Sequence, residues 1–262
     1  MTQLIDPEIN TELQQLLINE GCSFPDRNLW SDEPPLESDL HRDQIDQLIR
    51  LIRAIFAPGG IGNRSDVYVA GNLTIYYSPN QKKSEDCRGP DVFVVLGTDP
   101  NPRRSWVVWH ENGQYPNVII ELLSPSTATV DRTTKKQLYQ SIWRVPEYFW
   151  FDPVTMEFQG FQIVQGLYQP IVPTPEGWLW SQELGFYLGI ENRRLRLFLA
   201  NGSIVPFPEE AQAQRADRAE QRASQAERRA GQAELQLQNE RTRSEILMAK
   251  LLELGIDPEQ LS

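Results

Sequence analysis

Residues 117–123 read Asn-Val-Ile-Ile-Glu-Leu-Leu, a strand-length apolar run with one carboxylate, Glu121, in its interior. An unpaired ion buried in such a strand costs several kcal/mol. The chain can therefore only adopt a fold that brings Glu121 a partner. Side chains alternate faces along a strand, so Ile119, Glu121 and Leu123 share one side.

A second apolar run, Asp-Val-Phe-Val-Val-Leu-Gly at 91–97, follows Gly89-Pro90 and opens on an acid, Asp91. Asp91, Phe93 and Val95 share a face of that strand. If the two strands are neighbours in one sheet, the carboxylates of Asp91 and Glu121 converge. Two such groups in a partly buried site repel, and one takes up a proton unless a cation lies between them. A divalent cation removes the conflict, and hard oxygen ligands completed by water suit Mg²⁺ or Mn²⁺. The backbone carbonyl of Leu122 is a further oxygen donor at the same place.

The segment Asp-Arg-Thr-Thr-Lys-Lys-Gln-Leu-Tyr at 131–139 reads as a helix. Its start is placed at Thr129 or Asp131, and Leu138, Tyr139 and Ile142 are expected to face inward. Lys135 lies one turn before Tyr139, on the side of Leu138 and Ile142, and its ammonium can reach back toward the sheet. Asp, Glu and Lys around a metal ion make a set for phosphodiester hydrolysis: the ion activates water, and the cations take up charge developing on phosphorus. Each residue also has a plainer reading. Asp91 can cap a strand start after proline, Glu121 can pair with a buried cation, Lys135 can be an i,i+4 partner of Asp131, and Tyr139 can be core packing. Lys136 adjoins Lys135 and leaves the choice of lysine open.

Around these motifs the chain alternates elements. Residues 38–56 form an amphipathic helix with Ser38 or Asp39 as N-cap and Ile45, Leu48, Ile49, Ile52, Ile55 and Phe56 on its apolar face. His41 lies on that face and can approach the site; a capping or half-buried histidine is the other reading. Residues 66–78 read as a strand or hairpin, 105–123 as strand, turn, strand with His110 near the tip, and 147–153 as a buried strand stopped by Pro153. From 157 to 205 the pattern is β-rich, with Asn201-Gly202 as a hairpin turn. The order implies an α/β core with a β extension.

At Pro206-Phe207-Pro208 the composition changes, giving two domains, 1–207 and 208–262. In the second, Ala216, Ala219, Ala223, Ala226, Ala230 and Ala233 recur at alternating spacings of three and four. The register continues through Leu237, Leu247 and Leu251 to Gly255, the stop. This is a heptad seam for a coiled-coil helix that pairs two subunits or folds back on the chain; a solvated single helix is the other reading.

Two histidines and two cysteines, Cys22 and Cys87, leave no material for a multi-histidine or Cys-rich zinc site or a disulfide framework. The glycines of Pro58-Gly-Gly-Ile-Gly62 lack the Gly-Lys-Ser/Thr of a phosphate loop and read as a turn. Ser124–Thr127 reads as a loop leading to a helix cap, with a phosphate cradle as the other reading. The formal net charge of −11 argues against nonspecific coating of nucleic acid, though not against a local basic groove. An acidic N-terminal segment and the absence of a ~20-residue apolar run point to a soluble, cytoplasmic protein without membrane association.

Gly-Pro-Asp-Val-Phe-Val-Val, Asn-Val-Ile-Ile-Glu-Leu-Leu-Ser-Pro-Ser-Thr, Asp-Arg-Thr-Thr-Lys-Lys-Gln-Leu-Tyr and Val-Pro-Glu-Tyr-Phe-Trp-Phe-Asp-Pro occur in that order. Together they resemble the Uma-type restriction endonuclease family of the PD-(D/E)XK nuclease superfamily. The resemblance is strongest over residues 38–155. It implies a restriction-endonuclease-like αβββαβ core, metal-dependent cleavage of DNA, and Asp91 and Glu121 as metal ligands; two cuts on opposite strands need two such sites, which fits a homodimer. The superfamily pattern has a lysine two positions after the glutamate, where this chain has Leu123; Lys135 matches the position to which the lysine moves in the Uma-type branch. The alternative is a noncatalytic scaffold on the nuclease fold that recruits partners through its coiled-coil tail.

Overall fold

A computed structural model describes residues 38–78, 87–124 and 127–253. Two compact units divide the chain, Met1–Phe207 and Pro208–Ser262. Cys22, Gly255 and part of the Ser124–Thr127 loop lie outside the described residues.

The first unit opens on a helix, Asp39–Phe56, capped by Ser38, whose hydroxyl accepts from the His41 amide. Strands β1 (Val67–Ala70), β4 (Val92–Leu96), β6 (Val118–Leu122) and β7 (Glu147–Phe151) then build the centre of a six-stranded sheet. Its order is β1-β4-β6-β7-β8-β9, where β8 is Phe158–Val164 and β9 is Leu167–Pro170. Only β6 and β7 pair in parallel in this sheet, and a second helical segment over 128–143 carries the crossover between them. The sequence of elements through β7 is αβββαβ, interrupted by short strands of a separate ribbon.

That ribbon has order β3-β2-β5, from Cys87–Arg88, Ile75–Tyr76 and Trp106–Val107. Residues 66–78 are therefore not a hairpin. β1 pairs with β4 and β2 pairs with β5, so the chain changes sheets at Gly71-Asn72. His110 ends a 3₁₀ turn, Val108–His110, rather than a hairpin tip. A third sheet, β10-β11-β12, comprises Leu179–Ser181, Phe186–Glu191 and Arg194–Phe198. Asn201-Gly202 turns the chain back so that Ile204 bridges Phe198.

The apolar runs are continuous because both faces of the sheet are covered. Val92, Val94, Val118, Ile120 and Leu122 pack with the first helix and the β10–β12 sheet. Phe93, Val95, Ile119 and Leu123 pack on the other face with Leu138, Tyr139 and Trp143 of the crossover helix. Glu121 thus points from a buried strand toward that helix.

The crossover helix is irregular: Ala128–Val130 and Lys136–Leu138 are α, while Asp131–Lys135 and Tyr139–Trp143 are π turns. A π turn takes one more residue per hydrogen bond than an α turn. The two π turns therefore rotate the inward face away from where a 3.6-residue period places it. Ile142, placed inward by a 3.6-residue period, is 58% exposed, and Trp143 is buried in its stead.

The second unit is a single described helix, Pro208–Glu253, none of whose residues is buried. No described helix is long and apolar enough to cross a membrane.

Candidate functional site

Glu121 is fully buried, and its two carboxylate oxygens find different partners. Oε1 accepts from the Tyr139 hydroxyl at 2.7 Å and lies 3.1 Å from Lys135 Nζ. Oε2 accepts from the Asp91 backbone amide at 3.3 Å. The Asp91 side chain reaches across in return, its Oδ2 accepting from the Leu122 amide at 2.7 Å. This exchange is possible because β4 and β6 are antiparallel neighbours with Val92 opposite Ile120, so Asp91 stands beside the Glu121–Leu122 step.

Asp91 is held from behind. The Asn72 amide donates to the carbonyls of Pro90 and Asp91 at 3.1 and 3.2 Å. A Cβ at Gly71 would lie 2.5 Å from the Asp91 carbonyl oxygen and 2.6 Å from Ile49 Cδ1, so only glycine fits where the chain crosses from β1 toward β2.

Two further residues complete the cluster. Asp131, itself buried, lies with Oδ1 2.8 Å from Lys135 Nζ. From the other side of the sheet, His41 Nε2 donates to the Leu122 carbonyl at 2.6 Å, which fixes the proton on Nε2. The Leu122 carbonyl retains a second lone pair.

Asp91, Glu121, Leu122 and Lys135, singled out in the sequence, thus meet in one place. Lys136 turns away, its ammonium 3.5 Å from the centroid of the Phe161 ring. Tyr139 is both core and site: buried on every side, it spends its hydroxyl on Glu121. Asp131 enters as more than the i,i+4 partner of Lys135, because the same ammonium bridges it to Glu121. Its signal in the sequence was the spacing that puts it on the inward side with Lys135. His41 carried its signal in the four- and seven-residue spacing to Ile45 and Leu48.

The charges do not balance. Glu121 and Asp131 share the one ammonium of Lys135, Asp91 adds a third acid beside them, and burial shifts the titration of Glu121 and Asp91. Desolvation raises the Glu121 pKa to about 8, with Asp91 and Asp131 pushing the same way and Lys135 opposing. Desolvation likewise raises Asp91, against the pull of Lys135. Burial by itself would lower Lys135, but Glu121, Asp131 and Asp91 outweigh it, and its pKa is raised. The Tyr139 hydroxyl is held well above its ordinary range by burial and by the charge of Glu121. Lys135 is therefore charged, and the cluster as a whole has room for more positive charge.

Among the described residues, no group of three or more His, Cys, Asp or Glu side chains is arranged to hold a metal ion. The oxygen donors nearest one another in the chain's fold are those of Asp91 and Glu121, each carboxylate accepting from the other strand's backbone, with the Leu122 carbonyl at the next step of β6. These hard donors, with their excess of negative charge, fit an ion that keeps several waters, as Mg²⁺ and Mn²⁺ do.

The family model described as Uma2, "Putative restriction endonuclease", matches residues 19–205. Among solved structures, one described as a putative nuclease belonging to DUF820 from Anabaena variabilis is similar, with a TM-score of 0.42 and 12% identity. The match covers 57% of this chain and 76% of that one. No curated protein matches the chain.

Proposed function

The chain belongs to the Uma2 putative restriction endonuclease family, and on that premise we propose that it is a divalent-metal-dependent endonuclease that hydrolyses DNA phosphodiester bonds at the Asp91–Glu121–Lys135 cluster. The observation that carries this reading is the exchange between Asp91 and Glu121 on neighbouring strands, each carboxylate accepting from the other strand's backbone, beside a buried ammonium that two acids share.

Asp91, Glu121 and the Leu122 carbonyl would hold Mg²⁺ or Mn²⁺. When bound, the ion supplies an activated water and a charge sink for the phosphate. The remaining work falls to the chain. Lys135, whose side chain keeps 15% exposure, orients the attacking water or donates to a phosphate oxygen as negative charge builds. Asp131 and Glu121 fix the position of the Lys135 ammonium, and Tyr139 fixes the Glu121 carboxylate. His41 locks the Leu122 carbonyl in place. The burial of Glu121 keeps bulk water from competing for its oxygens.

Cutting both strands takes two such sites, and a homodimer supplies them. The test is cleavage of duplex and single-stranded DNA with added Mg²⁺ or Mn²⁺ by the wild type and by Asp91→Asn and Glu121→Gln. Metal-dependent cleavage lost in both variants supports the proposal; cleavage unchanged in both would sink it.

A further inference from the structure

The helix Pro208–Glu253 carries more information than its alanine seam. Take the seam from Ala216 to Leu251 as heptad positions a and d. The residues just before the first three a positions are then Arg215, Arg222 and Arg229, and those just after the first three d positions are Glu220, Glu227 and Glu234; farther along, the rows continue with Gln236, Arg243 and Lys250 and with Arg241 and Met248. Over residues 215–234 each flanking row carries one sign.

These six charges are not placed to brace an isolated helix, where opposite charges three or four residues apart would be needed. Glu220 has Ala216, Asp217, Ala223 and Ser224 at those distances, and Arg222 has Arg218, Ala219, Gln225 and Ala226. The other four likewise have no opposite charge there. The pattern makes sense only across a pair of helices. In a parallel, in-register pair each g residue meets the e residue five positions later on its partner. That matches Arg215 with Glu220, Arg222 with Glu227 and Arg229 with Glu234, each twice by symmetry. In an antiparallel pair overlapping over residues 215–234, g meets g and e meets e, which sets arginine against arginine and glutamate against glutamate.

We propose that this helix binds the same helix of a second copy of the chain, parallel and in register, with orientation selected by the Arg–Glu rows. The small alanine side chains let the two backbones approach closely, and the exposed Leu237 and Leu247 on the same seam add apolar area toward the C-terminal end. The inference rests on this helix alone and stands whether or not the first unit cleaves DNA.

The test uses the full chain with Cys22 and Cys87 replaced by serine and one cysteine introduced by Ala219→Cys or Leu247→Cys. Sedimentation equilibrium is expected to give the mass of two chains, and mild oxidation to link each variant to itself through its single cysteine. Arg215→Glu/Arg222→Glu/Arg229→Glu should weaken self-association on the order of 100-fold, as should Glu220→Arg/Glu227→Arg/Glu234→Arg. An equimolar mixture of the two charge-reversed chains should associate again, which shows that both fold. A single-chain mass for the unreversed protein, absence of linkage at both cysteines, undiminished self-association of the charge-reversed chains, or a mixture that stays apart would each overturn the proposal.

Discussion

The Lys135 ammonium lies 3.1 Å from Glu121 Oε1, reaching from the crossover helix to the middle of the neighbouring strand β6. The same ammonium is 2.8 Å from Asp131, so one cation serves two buried acids. Removing it leaves both without a counter-charge. Lys135→Met is expected to cost about 3–5 kcal/mol in stability and ~100-fold or more in cleavage rate. Lys136→Met loses a contact with the Phe161 ring and should cost under about 1 kcal/mol. Denaturant unfolding of the two variants side by side checks this, with cleavage measured under conditions where both are folded.

The pKa of Glu121 sets a pH dependence. Burial raises it to about 8, above its ordinary value of 4.5, so the folded protein without added metal binds a proton that the unfolded chain releases. This contribution to stability is full below the unfolded value and is lost as pH rises through about 8. Glu121→Gln cannot lose a proton, so its melting temperature in chelator should fall less than that of the wild type between about pH 5 and pH 9. Equal slopes for the two proteins would show that Glu121 titrates normally.

Tyr139→Phe removes one hydrogen bond to the Glu121 carboxylate and nothing else of comparable size. A hydrogen bond to a charged group contributes roughly 1.5–3 kcal/mol. Because that bond favours the ionised form, its loss moves the Glu121 pKa further up. The variant should bind Mn²⁺ more weakly near neutral pH and recover as pH rises, a split that isothermal titration at two pH values resolves.

Gly71→Ala tests the support behind Asp91. The added methyl would meet the Asp91 carbonyl oxygen at 2.5 Å, against backbone that cannot swing aside. Overpacking of this kind costs about 1–3 kcal/mol. It should shift Asp91 and lower metal affinity although residue 71 touches no part of the proposed ion site. Thermal melting and Mn²⁺ titration of the same sample measure both effects.

The core was readable because continuous apolar runs at β4, β6 and β7 demand cover on both faces, and the helix periods on either side of β6 supply it. The meeting of Asp91 and Glu121 was likewise readable from alternation along two strands, provided they pair, and they do. Lys135 over Lys136 was not decidable from sequence, since adjacent helical residues differ by about 100° and the π turns displace the period. The same displacement exchanged Ile142 for Trp143. Asp131 was visible only as a partner of Lys135, because its contribution depends on Lys135 bridging to a strand that sequence spacing does not locate. Leu123, standing where the superfamily pattern has lysine, is 1% exposed and packs in the core beside Phe93 and Tyr139, and the cation that reaches Glu121 comes from the helix instead.

Mn²⁺ binding by isothermal titration to the wild type, Asp91→Asn and Glu121→Gln, with DNA cleavage followed on the same preparations, decides whether the two acids form an ion site that cuts DNA. A site in the wild type that is lost in both variants is expected, together with metal-dependent cleavage lost in both. Wild-type protein that neither binds Mn²⁺ nor cuts DNA, or variants that bind and cut as the wild type does, would contradict this expectation.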